Sequence, residues 1–118
     1  MTPLDMRTWT RDGVTVISVR GEIDIASVPR LSAFLEMPPT PFVVLDLTDL
    51  RFCDSSGLGL MIRTWKTLNG QSGGFVLAAP PRQLTRLLRT TGLDTYLPVH
   101  PTVPQAIDSL TAALTAPG

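Results

Sequence analysis

Hydrophobic residues arrive in short bursts along this chain, and their spacing changes from burst to burst. In V-T-V-I-S-V-R, Val14, Val16, Ile17 and Val19 crowd β-branched residues into a strand. The mixed segment Met6–Thr10 precedes it and ends at R-D-G. Asp12-Gly13 is a two-residue hairpin signal, because a type I′ turn needs positive φ at both central positions. G-E-I-D-I-A-S is expected to break that strand, with Ser27 capping a helix over about Val28 to Met37 and Pro29 in its first turn. M-P-P-T-P ends this helix, since proline cannot continue it and restricts the residue before it. Phe42 to Leu47, F-V-V-L-D-L, is nearly continuous apolar, the mark of a strand covered on both faces. From Ser56 the period becomes helical: Leu58, Met61, Ile62, Trp65 and Leu68 share one face, and N-G-Q-S-G-G closes the helix. Gly74 to Ala79 is a second buried strand. Pro80 and Pro81 open a third helix, with Leu84, Leu87 and Leu88 inward and Gly92 as its stop. Tyr96 to Val99 reads as a short strand. After Pro101 a last helix carries Val103, Ala106, Ile107, Leu110 and Leu114 on one stripe, and A-P-G forms a frayed tail.

Strands alternating with helices predict an α/β domain: a mixed, mostly parallel sheet of about four to five strands, an antiparallel N-terminal β-hairpin and about four helices, joined by right-handed crossovers. No linker, repeat or low-complexity segment divides the chain, so residues 1–118 read as a single domain with a core from about 6 to 114. Trp9 and Trp65 read as core residues. Arg82, Arg86 and Arg89 share one face of the third helix, which reads as a solvated polar face, with contact to an acidic partner as the alternative.

Composition narrows the setting. At 118 residues, with 43% hydrophobic and 17% charged residues, the chain suits a compact domain rather than a disordered one. Ten basic and ten acidic residues cancel, leaving no net field to steer it toward nucleic acid or an anionic membrane. Cys53 is the only cysteine, so no internal disulfide forms and no oxidising compartment is required. One histidine, one cysteine and no clustered ligands give no metal site, and no cofactor is expected. The N-terminus lacks the apolar core of a signal peptide, and no run approaches the roughly 18 apolar residues of a membrane span. A cytoplasmic protein is the expectation.

The candidate chemistry lies in R-F-C-D-S-S-G-L-G-L, Arg51 to Leu60, between a strand and a helix. A serine nucleophile needs a base, and His100, the only histidine, lies near the last strand, where the plain reading is a strand-end residue. The segment is not G-x-S-x-G, since Cys53 stands two before Ser55. A phosphate cradle would use Gly57-Leu58-Gly59, but the third glycine is missing and no G-K-[ST] follows. Here Gly57 reads as needed where the helix starts, and Gly59 where the helix presses on the sheet. The third reading is a displayed hydroxyl: Ser55 falls at a helix N-terminus, where backbone N–H groups tolerate an added phosphoryl group. The plain alternative is that D-S-S-G simply caps the helix.

F-C-D-S-S-G-L-G-L after V-V-L-D-L-T-D-L resembles the STAS domain family, specifically the free-standing bacterial anti-sigma factor antagonists. R-G-E-I-D-I-A-S resembles the family's G-E-[IL]-D loop, and G-G-F-V-L-A-A-P-P-R-Q-L-T-R-L-L-R-T-T-G-L-D its later strand, helix and turn. The spacing agrees from about Met6 to Leu114. The resemblance implies a phosphorylation switch at Ser55, set by an anti-sigma factor that is itself a serine kinase and reset by a serine phosphatase. The unphosphorylated form would bind the kinase and release a sigma factor. Asp24, Asp54, Ser56, Gly57 and Leu58 would form the partner contact. No catalytic residue, nucleic acid or membrane partner is implied. The D-I-A-S loop departs from members with polar residues after the aspartate, the first helix is several residues short, and Cys53 replaces another apolar residue and reads as a small buried hydrophobe. Two other classes stand beside the switch: an assembly subunit of a larger complex, such as a lipid-transport system, and an enzyme.

Overall fold

The chain carries β1 (Asp5–Arg11), β2 (Val14–Ile23), α1 (Val28–Glu36), β3 (Phe42–Asp46), β4 (Leu50–Cys53), α2 (Ser55–Gly70), β5 (Gly74–Ala78), α3 (Arg82–Thr91), β6 (Val99–His100) and α4 (Val103–Thr115). This computed structural model describes residues 4–115, and the tail expected to fray, Ala116 to Gly118, lies outside them. The sheet order is β1-β2-β3-β5-β6, with β4 paired to the end of β2. Among the described residues only the β1–β2 pair is antiparallel. The α/β reading with its N-terminal hairpin therefore holds, with six strands rather than four to five.

The hairpin turn forms as its sequence requires: Asp12 and Gly13 have φ of 53° and 81°, and Arg11 stands opposite Val14. The strand after it does not break at Gly21. Gly21 adopts φ 112° at an irregularity in the register, and β2 runs on to Ile23. This extension exists because β4, which the hydrophobic pattern did not reveal, supplies a partner: Glu22 pairs with Phe52 and Ile23 with Cys53. The outer side of β4 is closed by a side chain. Gln83 of α3 accepts a hydrogen bond from the Cys53 amide (3.1 Å) and donates Nε2–H to the Cys53 carbonyl (2.8 Å), standing in for a further strand.

Two apolar clusters occupy the two faces of the sheet. Ile17, Val19, Val43, Leu45, Phe75 and Leu77 face α1, α2 and α3 in the larger one. Val14, Val16, Val44, Val76 and Ala78 face Ala106, Ile107 and Leu110 of α4 in the smaller one. Continuous burial of β3 and β5 follows from having helices on both sides. Leu114, expected on the inner stripe of α4, is 42% exposed: near the end of the helix it lies against Gly13 of the β1–β2 turn rather than over the sheet core. Trp9 is a correction as well. It pairs with Val16 on the outermost strand, beyond the reach of α4, and is 41% exposed. Trp65 is half-buried, with its ring edge-on to Tyr96 at 6.0 Å. Arg82, Arg86 and Arg89 are exposed.

The helix–sheet contact that matters for the site is made at Gly57. A Cβ there would stand 2.5 Å from Ile23 Cγ2 and 2.6 Å from Cys53 Sγ. Gly59 is not the close approach: a Cβ on it would meet only the Arg63 guanidinium, at 3.5 Å. Gly57→Ala should therefore destabilise the fold by about 1–3 kcal/mol through overpacking. Gly59→Ala should stabilise it by about 0.5–1 kcal/mol, as an ordinary helix-interior replacement. Urea unfolding of the two variants checks the opposite signs.

Candidate functional site

The end of β2 and the end of β4 lie side by side, so the loops that follow them meet. Asp54 joins them. Its amide donates to the Ile23 carbonyl at 3.0 Å, and the Ile25 amide stands near enough to its carboxylate to favour the charged form. The same carboxylate caps α2: Oδ1 accepts from the amides of Ser56 (2.9 Å) and Gly57 (3.1 Å) and from the Ser56 hydroxyl. Asp54 is the N-cap, so Ser55 is the first helical residue. Withdrawal from water pushes the Asp54 carboxyl up, but the hydrogen bonds from the Ser56 hydroxyl and from the Gly57 and Ser56 amides, with the nearby Ile25 amide, together outweigh it. The pKa falls below the ordinary 3.8.

The neighbouring loop is held the same way. Asp24 Oδ1 accepts from the Ser27 amide (2.9 Å), and Ser27 Oγ accepts in return from the Asp24 amide (2.9 Å). Ser27 sits at the start of α1 as its sequence predicts, but its hydroxyl caps nothing in α1. It is committed to Asp24 and donates toward the Glu22 and Asp24 carbonyls instead. Between these two locked aspartates, Ile25 holds a large apolar side chain 77% exposed.

The six residues singled out in the sequence thus separate by position. Ser55 is exposed, and its hydroxyl has no hydrogen-bond partner among the described residues. Asp24, Asp54 and Ser56 are half-buried, with side chains engaged in the loops. Gly57 and Leu58 are buried beneath the turn and seat the helix. Sequence reasoning missed Ile25, the exposed apolar residue of the loop beside Asp54, and Gln83, which pins the residue before Asp54 from another helix. An isoleucine inside a polar turn was a signal for the first. Nothing local signals the second.

A model of the STAS domain matches residues 5–106. The chain belongs to the STAS domain family. The anti-sigma-B factor antagonist of Staphylococcus epidermidis is 31% identical over 100 residues, covering 82% of this chain and 93% of its own. An anti-sigma factor antagonist from Mycobacterium paratuberculosis has the same fold at a TM-score of 0.82 and 32% identity, over 92% of this chain and 94% of that one. The anti-sigma factor antagonist SpoIIAA, solved unphosphorylated and phosphorylated, shares the fold at TM-scores of 0.70 and 0.68 with 22% identity. These structures cover 91% of this chain, and 95% and 98% of SpoIIAA. Among the described residues no helix of this STAS domain is long and apolar enough to cross a membrane.

Within this STAS domain, Cys53 packs under α2 as a small hydrophobe. Burial, and then the nearby Asp54 charge, push its thiol up to about 12, so it stays protonated and unreactive. Asp54 has the opposite linkage. Its folded pKa is lowered, so the cap's contribution is fully present above the ordinary carboxyl value and is lost as pH falls through the lowered one. Asp54→Ala should reduce stability by about 1 kcal/mol at neutral pH. In thermal melts across pH, the gap between wild type and Asp54→Ala should close below about pH 4.

Proposed function

We propose that this STAS domain is an anti-sigma factor antagonist whose docking is switched at Ser55. Unphosphorylated, it binds a cognate anti-sigma factor that is also a serine kinase, and a sigma factor is released. Phosphorylation of Ser55 ends the binding, and a serine phosphatase restores it. The observation that carries this reading is the state of the two adjacent serines. The Ser56 hydroxyl is tied to Asp54, whereas the Ser55 hydroxyl is exposed and unengaged on a turn that is otherwise rigid. A kinase meeting this turn finds one hydroxyl free to accept a phosphoryl group.

The surroundings suit a charge switch. The amides of Ser56 and Gly57, which would otherwise welcome an anion at the helix start, already donate to Asp54. A phosphoryl group on Ser55 would add about −1.5 to −2 charges beside a carboxylate that stays ionised. Repulsion from Asp54 and the cost of desolvating a dianion in an interface then act together against docking. A ~10⁴-fold loss of affinity requires about 5.5 kcal/mol between the two states. The exposed Ile25 side chain offers an apolar contact beside the switch, and Asp24 contributes mainly by fixing the loop that presents it. Gly57 and Leu58 support the turn from beneath. The relatives named as antagonists favour this reading over a passive assembly subunit or an enzyme.

Incubation with the cognate kinase and ATP should place one phosphate, on Ser55, by tandem mass spectrometry. Ser55→Ala should abolish phosphorylation and leave the kinase complex intact. Ser55→Asp should weaken it by about tenfold or more, read by calorimetry. Phosphate appearing on Ser56 alone, or a complex indifferent to both substitutions, would reject the switch.

A further inference from the structure

A sheet has edges, and this one treats them unequally. β6 is two residues long and is flanked by Pro98 and Pro101, which cannot donate to a further strand. The outer side of β4 is occupied by the Gln83 side chain. β1 has neither protection. It is seven residues long, contains no proline, pairs among the described residues only with β2, and is exposed along nearly its whole length. The sheet face beside it is uncovered too. Asp5, Arg7, Trp9, Ser18, Arg20 and Asp46 line an open groove of about 380 Å³ where α4 does not reach.

The sequence of β1 states what can pair with it. A two-residue turn closes on a hydrogen-bonded pair, here Arg11 with Val14. In an antiparallel ladder such pairs alternate, so Trp9, Arg7 and Asp5 also spend their N–H and C=O groups on β2. The backbone groups of Met6, Thr8 and Thr10 point away from it, toward the free edge. A second β1 laid antiparallel must pair through those residues. The two-fold register centred on Thr8 satisfies this: Thr8 faces Thr8, and Met6 faces Thr10. It also places Asp5 opposite Arg11 and Arg7 opposite Trp9, twice each, in the close non-hydrogen-bonded positions. The allowed registers to either side set Arg7 against Arg7, or Arg7 against Arg11, and so bring like charges together. Parity and charge select one arrangement.

We propose that β1 is a self-association edge, and that two copies of this chain join through antiparallel β1–β1 pairing centred on Thr8. Each Arg7 guanidinium then covers the half-exposed Trp9 ring of the other copy, and each Asp5 pairs with the other copy's Arg11. Ser55 takes no part in the pairing, so this assembly is independent of the switch.

Sedimentation velocity of the purified chain over a concentration series should show a monomer–dimer equilibrium. Asp5→Arg and Arg11→Asp each oppose like charges twice across the two-fold, and each should weaken the dimer roughly tenfold or more. An equimolar mixture of these two variants should dimerise again, because both pairs between positions 5 and 11 in the mixed dimer are then of opposite sign. Thr8→Pro should also leave a monomer, since it removes an outward N–H without touching the β1–β2 ladder. Circular dichroism confirms that each variant is folded. In the wild type, amide exchange gives a readout that needs no variant: Met6, Thr8 and Thr10 should gain protection with concentration, while Arg7, Trp9 and Arg11 are protected throughout. A chain that sediments as a monomer at every concentration overturns the proposal. So does a dimer unaffected by the single substitutions, or a mixture that stays monomeric.

Discussion

Everything at the candidate site rests on one contact: a helix start seated on the Ile23 and Cys53 side chains of two strands, with no side chain of its own at the point of contact. At Gly57 the α2 backbone comes so near Ile23 and Cys53 that even a methyl group has no room. That closeness brings the residue before the helix, Asp54, within hydrogen-bond reach of the end of β2 and sets its carboxylate beside the loop that follows. A helix held farther out would still carry its own cap, but its cap would not be shared with a neighbouring loop. The resemblance of D-S-S-G to a helix cap and its reading as a displayed hydroxyl are therefore not rivals. Asp54 does the capping, Ser56 is drawn into it, and Ser55 is left over as the group that faces water.

The two loops solve the same problem with one device. Each ends a strand, each has an aspartate, and each aspartate spends its carboxylate on backbone amides rather than on a cation. Carboxylates so engaged need no counter-ion, so both loops are held by hydrogen bonds rather than by salt bridges. Among the described residues the ion pairs, Arg11–Asp12 and Arg20–Asp49, are both at 3.9 Å, exposed, and far weaker constraints.

Much of this was legible in the chain. The hairpin was written by Asp12-Gly13, the buried strands by unbroken apolar runs, and the long helix by the spacing from Leu58 to Leu68. What escaped was written elsewhere. β4, L-R-F-C, has two exposed residues between two buried ones and no periodicity long enough to announce a strand. It exists because β2 offers it an edge, and because a glutamine thirty residues away closes the other side. Gly21 looked like a strand breaker because glycine usually is one, yet its positive φ lets the strand kink and continue. Trp9 is hydrophobic enough for a core, yet its strand is the outermost one. Which glycine touches the sheet, and which strand lies outermost, are properties of the assembled layers.

The shortness of β6 has a consequence for growth. A sheet that can be extended from either side is a filament subunit, adding copies without limit. Here one side is sealed by prolines, so whatever joins the other side finds nothing further to build on. The sheet can be completed but not polymerised, and a chain carrying one bare strand stays clear of fibres.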